Sequence, residues 1–210
     1  MATAFVSTPH AEDRSVLREI TWETYVRLCN ENQSRATQMA YFEGDLEIMT
    51  VGLLHETSKE RIHLMIGAIA ESLEIDFEDT GQHTYQHRGK KIGFEADLSF
   101  YVTKLVEVRR KTKLDLVKDP PPDLVVEVDI TRDSERKLLM YAALGIREVF
   151  RCEGAEIQIY RLSGREYKTA AKSTVLGAVK ASLLTQLLAD SWTMSRPKWL
   201  RHVRKSVVAK

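Results

Sequence analysis

The sequence predicts an α/β protein: a mixed β-sheet with helices packed on it. Three observations carry that expectation. Helical and strand-like periodicities alternate along the chain instead of separating into halves. Between residues 55 and 75, Ile62, Met65, Ile66, Ile69 and Leu73 recur at helical spacing and form one stripe. In PPPDLVVEVDIT (120–131), Leu124, Val126 and Val128 fall at alternate positions and Val125 lies between them, as in a buried strand of a sheet covered on both faces.

Taken in order, Thr21 is placed to cap a helix carrying Trp22, Tyr25, Val26, Leu28 and Cys29 at helical spacing. MAYFEGDLEIM (39–49) reads as a hairpin around Glu43, Gly44 and Asp45. The helix of 55–75 follows. HTYQHRGKKIGFEADLSFYV (83–102) reads as a second hairpin, turning near Gly89 and ending in one strand over 94–102. Residues 108–122 are polar and close on three prolines, which marks an exposed connection. The strand of 123–129 precedes a helix over 133–144, stopped by Gly145. REVFRC (147–152) and AEIQIYRL (155–162) pair across Glu153 and Gly154, and ASLLTQLLAD (181–190) is a last amphipathic helix. This is one domain over residues 1–195, followed by a basic C-terminal tail, 196–210.

At 210 residues and 43% hydrophobic, the chain has enough material for one substantial core. It contains no apolar run long enough to span a membrane and no secretory-signal pattern at its start. Its two cysteines, Cys29 and Cys152, sit in apolar-patterned segments, the usage of reduced thiols in a cytoplasmic protein. Net charge is +1, unevenly spread: residues 195–210 hold six Lys/Arg and no acid, leaving an acidic remainder. Arg201 and Arg204 with Trp199 would suit a nucleic-acid contact; a solvated terminal helix has the same composition. Arg109, Arg110, Lys111 and Lys113 likewise form a basic loop that would meet a phosphate backbone or stay solvated.

The chemistry lies in the acids. Asp123, Glu127 and Asp129 are two and four residues apart and share one strand face, where like charges repel and burial is costly. Glu95 and Asp97 in GFEADLSFYV are spaced the same way. If the two strands are neighbours, Asp97 and Glu127 converge and suit a hard divalent cation, Mg²⁺ or Mn²⁺. Without convergence they are strand-end residues reaching solvent. The chain has no zinc-ligand spacing, no Gly-rich phosphate loop and no GxSxG element.

LEIM with HE (46–49, 55–56), GFEADLSFY (93–101), DPPPDLVVEVDIT (119–131) and KLLMYAALGIREVF (137–150) resemble the Uma family of restriction-endonuclease-like proteins, within the PD-(D/E)xK nuclease superfamily. The resemblance covers roughly residues 20–165. It implies a restriction-endonuclease-like fold, a mixed sheet flanked by helices. It also implies Mg²⁺-dependent hydrolysis of phosphodiester bonds, in DNA ahead of RNA. Asp97 matches the first motif acid and Glu127 the acid of the (D/E)xK element, both metal ligands in such nucleases. Glu56, with His55, matches the acidic start of the early helix; Glu95 and Asp129 are further auxiliary acids. The chain departs at two positions: Ala96 stands where proline is usual, and Asp129 replaces the motif lysine. Lys137 is the substitute cation, on a helix that carries Tyr141 and Leu144 at i+4 and i+7. The alternative is an inactive nuclease-like fold serving as a nucleic-acid-binding or assembly module, favoured by Asp129. A homodimer would suit a double-strand cutter.

Overall fold

The computed structural model describes residues 12–32, 37–81, 83–129 and 135–208. The class is α/β, as the sequence predicts, and the strands of the described residues form two sheets. The first has five antiparallel strands in the order β1 (Glu12–Leu17), β3 (Asp45–Val51), β2 (Thr37–Phe42), β6 (Ile92–Glu95), β5 (Thr84–His87). The second has six, in the order β11 (Glu166–Ala170), β10 (Glu156–Ser163), β9 (Glu148–Glu153), β8 (Leu124–Asp129), β7 (Leu98–Tyr101), β4 (Glu78–Asp79). The second sheet is mixed: β8 and β9 run parallel and the other pairs antiparallel. Parallel neighbours need a crossover. Here it is α4 (Glu135–Leu144), whose exit is set by Gly145 at φ 76°.

Local chemistry explains the remaining elements. Thr21 caps α1 (Trp22–Glu31), its hydroxyl accepting from the Thr24 N–H at 3.2 Å. Glu43 and Gly44 both take positive φ, the two-residue turn whose twist matches a β2–β3 hairpin. Gly93 is required for packing: a Cβ there would lie 2.2 Å from the Tyr25 hydroxyl. The stripe of 55–75 becomes α2 (Leu53–Ser72).

The second sheet is covered on both faces. Leu98, Phe100, Leu124, Val126 and Val128 pack with Ile62, Met65 and Ile69 of α2 and with α5 (Ala181–Asp190) and α6 (Arg196–Val208). On the other face Val125 and Val149 join Met140, Tyr141 and Leu144 of α4. This double cover is why β8 is apolar at consecutive positions.

Four expectations change. The single strand over 94–102 is two: β6 belongs to the first sheet and β7 to the second, and the chain changes sheets at Ala96 and Asp97. Each half then pairs fully, which one straight strand could not do with both sheets. The connection of 108–122 is not wholly exposed: α3 (Leu105–Val108) opens it, and Val108 and Leu116 are buried. Residues 196–208 are not a tail but helix α6, with Trp199 fully buried and its indole N–H donating to the Leu187 carbonyl at 2.7 Å. A buried indole has no face to offer a base. Three strands had no clear apolar signal: β1, β4 and β11 are polar edge strands held by backbone pairing. Asp133 and Ser134, at the expected start of α4, lie outside the described residues. Neither Cys29 nor Cys152 is in a disulfide. Among the described residues no helix is long and apolar enough to cross a membrane.

Trp199→Ala should destabilise the protein by about 3–5 kcal/mol, through the cavity and the orphaned Leu187 carbonyl. Urea melts check this. A loss near zero would mean that α6 is dispensable.

Candidate active site

Asp97 sits where the chain changes sheets. β7 and β8 are antiparallel with Leu98 opposite Val126, and extending that register one residue sets Asp97 opposite Glu127. Asp97 is 2% exposed, and its side chain gathers partners from three other elements. Its Oδ2 accepts the Val128 N–H at 2.7 Å, and its Oδ1 accepts Gln38 Nε2 of β2 at 2.8 Å. His55 Nε2, in the first turn of α2, stands 3.1 Å from Oδ1. His55 Nδ1 in turn lies 3.4 Å from the Glu56 carboxylate, which reaches solvent and pairs with Lys59 at 2.6 Å.

Glu127 is answered from α4. Lys137 and Tyr141, one turn apart, fall on the same helix face. Lys137 Nζ donates to Glu127 Oε2 at 2.5 Å, and the Tyr141 hydroxyl donates to Oε1. All three side chains are buried. Burial disfavours a charged lysine, but Glu127, Glu47 and Asp97 together outweigh it and raise the Lys137 pKa above the ordinary range. Burial likewise pushes the Asp97 carboxyl up; the His55 contact, the Lys137 charge and the Val128 N–H outweigh it, so the pKa falls below the usual value. Tyr141 is pushed well up by burial and by Glu127, so it stays a neutral donor. These neighbours favour the charged form of Lys137, which is suited to hold negative charge.

A cleft of about 140 Å³ opens beside Lys137, and Arg14, Arg18, Asp45, Glu47 and Arg136 line it. Arg14 pairs with Glu47 at 2.6 Å, and Arg136 pairs with Asp45.

The other sequence candidates fall elsewhere. Glu95 accepts from the Thr84 hydroxyl at 2.7 Å, and burial raises its pKa. Its charge acts on Tyr25 and Cys29 of α1, and the sheet change after Glu95 undoes the face it was expected to share with Asp97. The Asp129 side chain lies outside the described residues. Arg109 is tied to Glu78 and Asp76, and Lys111 to Asp119, while Arg110 and Lys113 are exposed. Arg204 pairs with Glu71 at 2.8 Å, and Arg201 is exposed on α6. Sequence reasoning missed Gln38, whose one signal is an amide in the otherwise apolar run of β2, and the pairing role of Tyr141.

Among the described residues no group of three or more His, Cys, Asp or Glu side chains is arranged for a metal ion. The donor set near Asp97 and Glu127 nevertheless suits a hard cation. The Asp97 carboxylate has about four acceptor sites, more than Gln38, His55 and the Val128 N–H fill. Gln38 Oε1 is buried with no hydrogen-bond partner. Few protein oxygens with water or phosphate completing the shell is the pattern of Mg²⁺.

A mixed sheet clad by helices, with buried carboxylates where β7 and β8 meet, defines a restriction-endonuclease-like protein. The Uma2 family model, described as "Putative restriction endonuclease", matches residues 22–195, and the chain belongs to that family. The match reaches past the sequence resemblance to include α5. The crystal structure of a "putative nuclease belonging to DUF820" from Anabaena variabilis is similar in fold. It is 12% identical, covers 80% of this chain and 99% of its own, and superposes with a TM-score of 0.56. No curated protein matches the sequence significantly.

A carboxylate with a lowered folded-state pKa stabilises the fold above its unfolded value, and that stabilisation is lost as pH falls through the lower folded value. Asp97→Asn should therefore be less stable than the parent at pH 6, by roughly 3 kcal/mol. The gap should narrow as pH drops below the unfolded-chain value of about 3.9. Urea midpoints across pH 6 to 3 read this, and a constant gap would contradict the assigned direction.

Proposed function

We infer that this protein is a Mg²⁺-dependent endonuclease that hydrolyses phosphodiester bonds in DNA. The observation that supports it most is the buried Lys137 ammonium, 2.5 Å from Glu127 and electrostatically coupled to Asp97. A fold held only by packing gains nothing from an ammonium and two carboxylates sealed together.

Asp97 and Glu127 would hold the cation, which when bound supplies charge stabilisation at the phosphoryl oxygens and a lower pKa for water. Lys137 does what the missing motif lysine would do, arriving from α4 instead of β8. Its charged form is favoured, so it orients the attacking water or neutralises a phosphate oxygen as negative charge builds there. Tyr141 holds the second oxygen of Glu127 and fixes the carboxylate's rotation. His55 and Gln38 do the same for Asp97. The arginines of the adjoining cleft, Arg14, Arg18 and Arg136, would meet the backbone on either side of the scissile bond.

One observation favours the second reading, a non-catalytic nucleic-acid-binding module: both carboxylates already carry protein donors. Cleavage of supercoiled plasmid and of labelled oligonucleotides with Mg²⁺ or Mn²⁺ separates the two. The parent should cut, and Glu127→Gln should not. Lys137→Met, which keeps the apolar stem, should lower kcat by about 10²–10³ while leaving DNA affinity nearly intact. A parent that binds DNA but cuts neither substrate with either metal would establish the module. Equal rates in Lys137→Met and parent would remove the lysine from the mechanism.

A further inference from the structure

Gln38 has a half that its contact with Asp97 does not explain. β2 pairs with β6 with Ala40 opposite Phe94, and extending that register sets Gln38 opposite Ala96, at the change of sheets. The side chain is 3% exposed. Its Nε2 donates to Asp97 Oδ1 at 2.8 Å. That bond settles which end of the amide is which, because an ionised carboxylate accepts and cannot donate. The other end, Oε1, is then a buried acceptor with no partner. Amide geometry keeps it roughly 2.3 Å from Nε2, hence within roughly 5 Å of Asp97 Oδ1.

A residue that only positioned Asp97 would need a donor and no more. A buried carbonyl oxygen left without a donor destabilises a fold, and native interiors rarely tolerate one. What satisfies it must be a hydrogen-bond donor or a cation, and the same amide already touches the Asp97 carboxylate. A neutral amide oxygen is a hard ligand of the kind Mg²⁺, Mn²⁺ and Ca²⁺ accept. It also adds no negative charge to a pocket whose carboxylates Lys137 already balances in part.

We propose that Gln38 Oε1 is a third protein oxygen of the divalent-cation site, ligating the ion directly beside Asp97 and Glu127. The assignment rests on the cation-site reading of Asp97 and Glu127. It explains how a site short of acidic side chains reaches three protein oxygens, one from each sheet's own strands and one from the crossover between them.

Mn²⁺ titrations by calorimetry and electron paramagnetic resonance test it, together with the rise in melting temperature on adding Mn²⁺. The proteins are the parent, Gln38→Ala, Gln38→Glu, Asp97→Asn and Glu127→Gln. Gln38→Ala should weaken Mn²⁺ binding about tenfold. Gln38→Glu should melt lower than the parent without metal, because it sets a carboxylate against Asp97. With Mn²⁺ it should bind more tightly than the parent and show the larger rise in melting temperature. Gln38→Met, which keeps the bulk, replaces the alanine variant if that one does not fold. If both Gln38 variants bind Mn²⁺ as the parent does while Glu127→Gln loses it, Gln38 only positions Asp97 and the proposal is overturned. A parent that binds no Mn²⁺, or binds it equally in Asp97→Asn and Glu127→Gln, overturns the cation site itself and the Gln38 assignment with it.

Discussion

A glutamate on a strand that is buried on both faces must find a counter-charge, and Glu127 finds Lys137. An ionised carboxylate left alone there would cost several kcal/mol. Supplying the ammonium fixes the rotation of α4, because Lys137 and Tyr141 must both face β8. Once α4 is so fixed, it carries the chain from β8 to the parallel β9. Arg136, next to Lys137, pairs with Asp45 at the β2–β3 turn and ties the first sheet to the start of the same helix. Removing one partner of such a buried pair typically costs ~3–5 kcal/mol, against ~0–1 for an exposed pair such as Arg204 and Glu71. Yet a buried pair seldom beats a well-packed apolar one. Stability alone therefore does not account for charge at this position, which is in keeping with the proposed role of Lys137 and Glu127.

The change of sheets at Ala96 and Asp97 supplies the second half of the site. A residue inside a regular strand would point to one face and meet one layer. Asp97, at the junction, meets the first sheet through Gln38, the second through the Val128 N–H, and α2 through His55. The strand break and the gathering of donors are one feature. The arginine-lined cleft lies against the same group, since Lys137 belongs to both.

Much of this was legible in the sequence where signals are local. Period-two spacing put Glu127 on one face of its strand, and helical spacing aligned Lys137 with Tyr141. Thr21, Gly44 and Gly145 marked their turns and ends by side-chain and backbone chemistry alone. What was hidden depends on contacts far apart in the chain. Nothing local says that residues 94–102 divide between two sheets, so Glu95 was grouped with Asp97 although it faces α1. Gln38 lies 59 residues from its partner, and its role is visible only once β2 pairs with β6. Trp199 sits among basic residues that read as a solvated tail; helical spacing with Val203 and Val207 turns that stretch into a core helix. β1 is polar and is a strand only because β3 offers it a full set of backbone partners.

We propose that Asp97 and Glu127 share one cation beside a charged lysine. Crystals soaked in Mn²⁺ and measured at the manganese edge address it directly. An anomalous peak is expected about 2.0–2.2 Å from a carboxylate oxygen of each residue, with Lys137 Nζ still on Glu127. A peak elsewhere, or none at saturating Mn²⁺, would contradict it.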